Sequence, residues 1–359
     1  MLTEMETITG LHRKSLTRLM AQSSLRRSPR RAQRRAVYGP DIRQIVRIVW
    51  ESLDGICAER LAPQLLMTAR HLAHCGELAL TADQETLLAQ ISEATITRML
   101  VGLPRALPRL PQKGPRAANR VLRAVPMGRI PWQTTTPGSF EVDLVHHSGS
   151  CAAGEYVHTL QLIDVATGWS ERTAVFGRGQ AAIEAGFQRI IDRLPFPIRH
   201  LHPDNGPEFF NHHLVRFWGE EITGLTLSRS RPYQKNDNRF VEQKNATLVR
   251  AYLGHRRLDT PAQCVALAML YEQMGIYYNL FQPVLHLCEK EVIDGKVKRR
   301  WDAAQTPYQR LMMTDILTPT VATGMAALHA ATNPRRLRQE IYDTLARLWK
   351  EEEILLAAD

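Results

Sequence analysis

Three acidic residues set the strictest condition on how this chain can fold. Asp143, Asp204 and Glu242 are separated by 61 and 38 residues, and each sits where the pattern changes. Asp143 lies inside the alternating run Phe140-Glu141-Val142-Asp143-Leu144-Val145. Asp204 closes a short apolar run, Ile198–His202, in the turn His202-Pro203-Asp204-Asn205-Gly206. Glu242 opens a helix expected over 238–253. A carboxylate on a central strand is costly if buried without a partner, and a cation removes that cost. Hard divalent cations take oxygen ligands, and two such ions about 3.5–4 Å apart serve phosphoryl transfer. Blander readings stand beside this one. Asp143 can face water from an edge strand, and Asp-Asn-Gly is a turn former in its own right. Glu208, Glu220 and Glu221 are rivals for the third position, because glutamate is common in helices.

The pattern around these acids predicts a single α/β core. Phe140–Val145, Tyr156–Asp164 and Glu171–Phe176 read as strands and Gln180–Leu194 as a helix with Ile183, Phe187, Ile190 and Ile191 on one side. Ile198–His202 is the next strand, Asn211–Glu220 a helix, Leu225–Ser228 a short strand and Asn238–Leu253 a long helix. The order β-β-β-α-β-α-β-α implies a mixed sheet with helices on both faces.

Outside the core the charge is unevenly placed. The 359 residues carry a net charge of +10. Residues 1–36 hold nine Lys/Arg against two acids, and residues 101–130 hold seven and none. Such blocks fit contacts to phosphate backbones or solvated tails. Gly10 followed by Leu11, Leu16, Leu19 and Met20 reads as a turn and one helix, the back half of a helix-turn-helix, as if the chain started late. Arg26, Arg27, Arg30, Arg31, Arg34 and Arg35 follow, too polar to pack and suited to a DNA groove or phosphates. Residues 37–103 are helical, with Ile42, Ile45, Val46, Val49 and Trp50 at helix spacing. Arg98, in a short helix capped by Ser92, suits a major-groove contact or a plain bundle. Residues 104–134 form a basic, proline-rich linker. The core occupies 135–280. A small basic β segment at 281–305 places Lys298, Arg299 and Arg300 on its second strand, and a helical tail occupies 306–359. No Cys-x-x-Cys pair occurs among five cysteines, so His71-His74-Cys75 reads as helix packing rather than a zinc site. No apolar run reaches a membrane span, no secretory pattern opens the chain, and a cytoplasmic, nucleoid-associated protein is expected.

Two motifs add a resemblance. His202-Pro203-Asp204-Asn205-Gly206-Pro207-Glu208-Phe209 resembles the second-aspartate motif of retroviral-type integrases and insertion-sequence transposases. Arg231-Pro232-Tyr233-Gln234-Lys235-Asn236-Asp237-Asn238-Arg239-Phe240-Val241-Glu242-Gln243-Lys244-Asn245 is similar to the glutamate motif of bacterial transposases of that group. The likeness runs from Trp132 to Phe281. It implies a DDE transposase with a ribonuclease H-like core: a mixed five-stranded sheet flanked by helices, preceded by an all-α helix-turn-helix region and followed by a small β hairpin and helical tail. Asp143, Asp204 and Glu242 would then be both the catalytic and the metal-binding residues, with two Mg²⁺ ions (Mn²⁺ in substitution). Double-stranded DNA and further copies of the chain in a synaptic multimer are the implied partners. The resemblance favours Glu242 over its rivals. Retroviral relatives place lysines where this chain has Ala246 and Val249, so Lys235, Arg239 or Lys244 is expected to meet the DNA end. Asn205 and Gln243 are expected to orient ligands or water. Two alternatives stay open: a ribonuclease H-like nuclease that cuts without joining, and an inactive, transposase-derived DNA-binding regulator.

Overall fold

The computed structural model describes residues 2–21, 37–101, 103, 127–128, 130–131, 134–204, 209, 212–231, 237–293 and 296–356. Contacts within the chain fall into two units, Met1–Gly39 and Pro40–Asp359. In the first, helices α1 (Leu2–Thr9) and α2 (Arg13–Met20) are joined by a turn in which Gly10 takes φ +67°. The residues ahead of Gly10 are therefore helical too, where the sequence suggested only a turn. The Glu6 carboxylate accepts from the Arg13 backbone N–H at 2.6 Å and fixes the second helix's start. The six arginines between 26 and 35 lie outside the described residues.

The second unit begins with α3 (Pro40–Ser52), which buries Ile42, Ile45, Val46, Val49 and Trp50, the stripe its spacing predicts. Short helices follow: α4 (Ala58–Leu61), α5 (Leu65–His74), α6 (Ala82–Gln90) and α7 (Glu93–Leu100). The Thr81 capping box starts α6, and the Ser92 hydroxyl caps α7 by accepting from Thr95 N–H. His71 bonds the Thr332 carbonyl at 2.7 Å and packs against the rings of Phe281 and His329, a packing role.

The core sheet follows a short strand β1 (Met127–Gly128). Its strands are β2 (Ser139–His146), β3 (Val157–Asp164), β4 (Ser170–Phe176), then, after helix α8 (Gln180–Ile191), β5 (His200–Pro203), helix α9 (His212–Glu221) and β6 (Thr226–Leu227). The order is β4-β3-β2-β5-β6. The first three form an antiparallel meander, and β5 and β6 run parallel to β2. The five strands thus form the mixed sheet that the sequence pattern predicts. β7 (Arg229–Ser230) leaves the sheet and pairs in parallel with β1.

Alternation along β4 puts a helix on each face. Thr173 and Val175 point at α8, where a Cβ on Gly186 would stand 2.7 Å from the Val175 side chain, so only glycine permits this close approach. Ala174 points the other way, into a cluster with Val145, Val157 and the helix α12 (Pro261–Phe281). Between the sheet and α12 the chain runs through α10 (Arg239–Lys244), a π-helical turn Asn245–Arg250 and α11 (Ala251–Leu253). The sequence predicted one regular helix over this stretch. The wide turn instead lets Asn245 reach β2 while Leu248 and Val249 stay buried.

A hairpin, β8 (Leu287–Ile293) and β9 (Lys296–Trp301), and helices α13 (Pro307–Met312), α14 (Pro319–Ala331) and α15 (Pro334–Leu356) complete the unit. Among the described residues no helix is long and apolar enough to cross a membrane. The Tyr277–Gln282 stretch works as a lock. The Asn279 amide bonds both the N–H (2.8 Å) and the carbonyl (3.0 Å) of Ser170, while Tyr277 and Gln282 donate to the carbonyls of Ser52 and Leu53. Arg60 donates to the Pro283 carbonyl and Gln64 to that of Ala304, so the helices of 37–103 are stitched to the segment after α12.

Asp54, the one described non-glycine residue with positive φ (+58°), gathers these parts. Its carboxylate accepts from Arg338 Nε (3.1 Å) and Nη2 (2.9 Å) and from the hydroxyls of Tyr342 (2.7 Å) and Tyr252 (2.5 Å). Asparagine tolerates the same backbone region, so Asp54→Asn isolates the charge. It is expected to lower the unfolding free energy by about 2 kcal/mol, the scale of charge-assisted bonds removed from a half-buried site, as read by urea denaturation.

Candidate active site

The parallel pairing of β2 with β5 brings two of the expected acids side by side. The register aligns Val142 with Pro203, so Asp143 and Asp204 are the next residues along each strand. Asp204 N–H reaches the Val142 carbonyl at 3.4 Å, and β5 ends there. Both side chains are partly exposed. Asp143 Oδ1 accepts from the Leu144 N–H at 2.8 Å, and its Oδ2 accepts from the Asn245 amide nitrogen.

Glu242 stands in the first turn of α10 and is exposed. What docks this helix on the sheet is a residue to which sequence reasoning gave no role. Glu141 is 1 % exposed, and its Oε2 accepts from Phe240 N–H (2.7 Å) and Val241 N–H (2.9 Å). Free N–H groups at a helix start are natural partners for a carboxyl group. Burial raises the Glu141 pKa to about 8, and the nearby Glu242 charge adds to it; the two N–H groups and Arg239 pull the other way. Glu141 lies two residues before Asp143, hence on the same face of β2, and an acid at that spacing in an apolar strand was the signal available in the sequence.

Next to α10, Asp237 is 1 % exposed and takes a bidentate pair from Arg231, with Nε at 2.9 Å and Nη2 at 2.8 Å. This pair clamps the two ends of 232–236, a segment outside the described residues that includes Lys235. Asn205 and Glu208 also lie outside them. Beneath Asp204, His202 shares hydrogen bonds with Ser228 (2.6 Å) and burial lowers its pKa to about 4, so it is neutral at pH 7.

A polar row crosses the sheet from the acids. Asp143 pairs with Gln161 and Gln161 with Arg172. Gln161 and Arg172 are buried, and among the described residues neither the amide of the one nor the guanidinium nitrogens of the other have a hydrogen-bond partner. Arg172 lies over the rings of Tyr271 (5.8 Å) and Tyr278 (5.4 Å). At the far end of the π-helical turn, Arg250 donates to the His146 carbonyl at 2.8 Å; burial lowers its pKa, and the charges of Tyr271 and Asp143 offset part of that shift.

Among the described residues no three His, Cys, Asp or Glu side chains are grouped as a metal ion needs. The two aspartates are adjacent, and Glu242 is near enough for its charge to act on Glu141. As a donor set the three fit a hard divalent cation, being carboxylates without thiol or imidazole.

No family model matches this chain. It is 35% identical over 312 residues to the uncharacterized protein y4rM of Sinorhizobium fredii (strain NBRC 101917 / NGR234), across 86% of this chain and 88% of that protein. The chain belongs to that protein's family. Among solved structures, the catalytic core domain of BIV integrase is similar at 18% identity and a TM-score of 0.30, over 48% of this chain and 91% of that one.

The cations expected to meet DNA are placed differently from one another. Arg239 is half-buried with its guanidinium 4.6 Å from the Phe240 ring centre. Lys244 is half-buried, and burial together with the charges of Arg60 and Arg172 lowers its pKa to about 7. Arg98 is exposed and folds back on its own helix, bonding the Ala94 carbonyl and the Thr95 hydroxyl. Lys298, Arg299 and Arg300 are exposed on β9, with Arg300 paired to Glu289 at 2.8 Å. Gln243 is exposed, and Trp169 is buried with its N–H on Glu171, a turn-packing role.

The raised pKa of Glu141 gives a signed expectation. The fold holds this proton more tightly than the unfolded chain, so the stabilisation is complete below 4.5 and is lost as pH rises to about 8. Glu141→Gln, which carries no titrating proton, should flatten the fall of unfolding free energy across that window in urea titrations run at several pH values.

Proposed function

We propose that this chain is a DDE-type polynucleotidyl transferase, a transposase or integrase that cuts at the 3′ ends of a DNA element and joins them to target DNA. The observation that carries the reading is the pairing of Asp143 and Asp204 on adjacent parallel strands, with the helix of Glu242 docked on the same sheet by Glu141. The two sequence motifs that resemble transposase motifs contain Asp204 and Glu242. Asp143 and Asp204 would hold one divalent cation between them and Glu242 a second, with Mg²⁺ or Mn²⁺ in that role. Bound there, the ions supply charge stabilisation for the phosphate and a more acidic water. The protein's own part is to fix the carboxylates on a rigid sheet and to bring the DNA strand to them. Hydrolysis frees a 3′-hydroxyl, which then attacks a target phosphodiester, exchanging one such bond for another. Basic residues of β9, Arg98 and the arginines of 26–35 are assigned to the DNA backbone, and a multimer of the chain to holding two ends together.

The test is an oligonucleotide assay with the DNA ends that flank this gene, in Mg²⁺ or Mn²⁺. Nicked and joined products are expected from the wild type. Asp143→Asn, Asp204→Asn and Glu242→Gln should each lower both by about a hundredfold or more, the scale of losing a main electrostatic stabiliser. Nicking without joining points instead to a nuclease, and specific binding without cleavage to a regulator. In the same system, replacing Lys298, Arg299 and Arg300 by alanine should weaken binding across all sequences and lower the salt slope by about one for each phosphate no longer neutralised.

A further inference from the structure

Arg172 is the side chain that the interior accounts for least. It lies in the middle of β4 and is 1 % exposed, and its Nε, Nη1 and Nη2 all lack a hydrogen-bond partner among the described residues. A guanidinium keeps its charge in a protein, and a buried charge without a partner is strongly unfavourable. The rings of Tyr271 and Tyr278, 5.8 and 5.4 Å away, offset only part of that cost. Nearby carboxylates are committed elsewhere. Glu171 points to the other face of β4, where it accepts from the Trp169 ring N–H at 3.0 Å and pairs with Arg193 at 3.3 Å. Asp54 is taken up by Arg338, Tyr342 and Tyr252, and Asp143 by the Leu144 N–H and Asn245.

Two further observations point to the same place. Gln161, opposite Arg172 on the β3–β4 ladder, is fully buried, and neither end of its amide is bonded among the described residues. Lys244, the last residue of α10, lies close enough for the charges of Arg172 and Arg60 to act on it, and both are of its own sign. Arg60 arrives from α4, with its Nε on the Pro283 carbonyl at 2.6 Å. Cations from α4, β4 and α10 thus converge beside an amide with donors to spare, and a negative group between them would relieve their repulsion.

We propose that Arg172 and Lys244 form a binding site for a small tetrahedral oxyanion of the inorganic phosphate or sulfate class, with Gln161 as a further donor. A guanidinium presents parallel N–H bonds that match two oxygens of such an ion, and an ammonium adds a point charge. Lys244 is half-buried and stands on the solvent side, while Arg172 is the closed end. A site of that depth takes a free ion and not a DNA strand. The bound ion neutralises Arg172 and ties β4 to α10, the helix that carries Glu242. It is distinct from the carboxylate pair and needs no divalent cation.

The experiment is thermal unfolding of the full-length protein in inorganic phosphate, with chloride at the same ionic strength as reference and a chelator present throughout. A ligand that binds only the folded state raises the melting temperature as its concentration rises, so wild type is expected to melt higher in phosphate. Arg172→Met should remove the response. Lys244→Gln should weaken phosphate affinity about tenfold, the scale of one lost bond to a charged group. Replacing Lys298, Arg299 and Arg300 by alanine should leave the response intact, which separates the site from the basic surface. No difference between phosphate and chloride in wild type overturns the proposal, and so does a full response in Arg172→Met. Should Arg172→Met fail to fold, Lys244→Gln decides alone, and an undiminished response there overturns the proposal. A short DNA duplex that competes with phosphate for the site would assign it to a backbone phosphate and overturn the free-ion reading.

Discussion

A protonatable carboxyl buried against the start of a helix is the interaction on which this site depends. Glu141 gives α10 its place by taking two of the backbone N–H groups that a helix start leaves free. From that anchor the position of Glu242, the course of the π-helical turn and the approach of Asn245 to Asp143 all follow. The sheet contributes the rest, because parallel pairing of β2 with β5 fixes Asp143 and Asp204 in one register. A slip of β5 by one residue would turn Asp204 to the face opposite Asp143.

The sheet was legible from alternation and from the apolar runs, with strand ends displaced by a residue or two. Gln180–Leu194 ends early, at Ile191, because the chain turns toward Pro195. Helix α3 was equally legible, since it carries a regular apolar stripe. The π-helical turn was not, because it goes with a tertiary hydrogen bond between Asn245 and a strand more than a hundred residues earlier. Glu141 was hidden for a related reason. In sequence it looks like the polar half of an alternating strand, and only the arrival of α10 makes it an interior group. The Tyr277-Tyr278-Asn279-Leu280-Phe281-Gln282 stretch fastens α12 to β4 and to the end of α3.

Arg172 and Lys244 show how far the interior departs from a plain apolar core. Burial disfavours the charged form of each. Arg172 is held by the faces of two tyrosines, whose electron density offsets part of that cost. The polar row from Asp204 to Arg172 makes the sheet's middle an electrostatic device as well as a scaffold.

The carboxylate of Asp54 binds groups from positions 252, 338 and 342, the farthest 288 residues along the chain. Tyr252 belongs to the same helical segment that carries Glu242, with the glutamate a few turns upstream. During synthesis this knot stays open until Tyr342 has cleared the ribosome. Until then the segment bearing the glutamate lacks one of its ties, so a nascent chain holds its acids on a sheet whose covering helices are not yet fastened. The tie on this segment thus forms late, after nearly all of the described chain has been made.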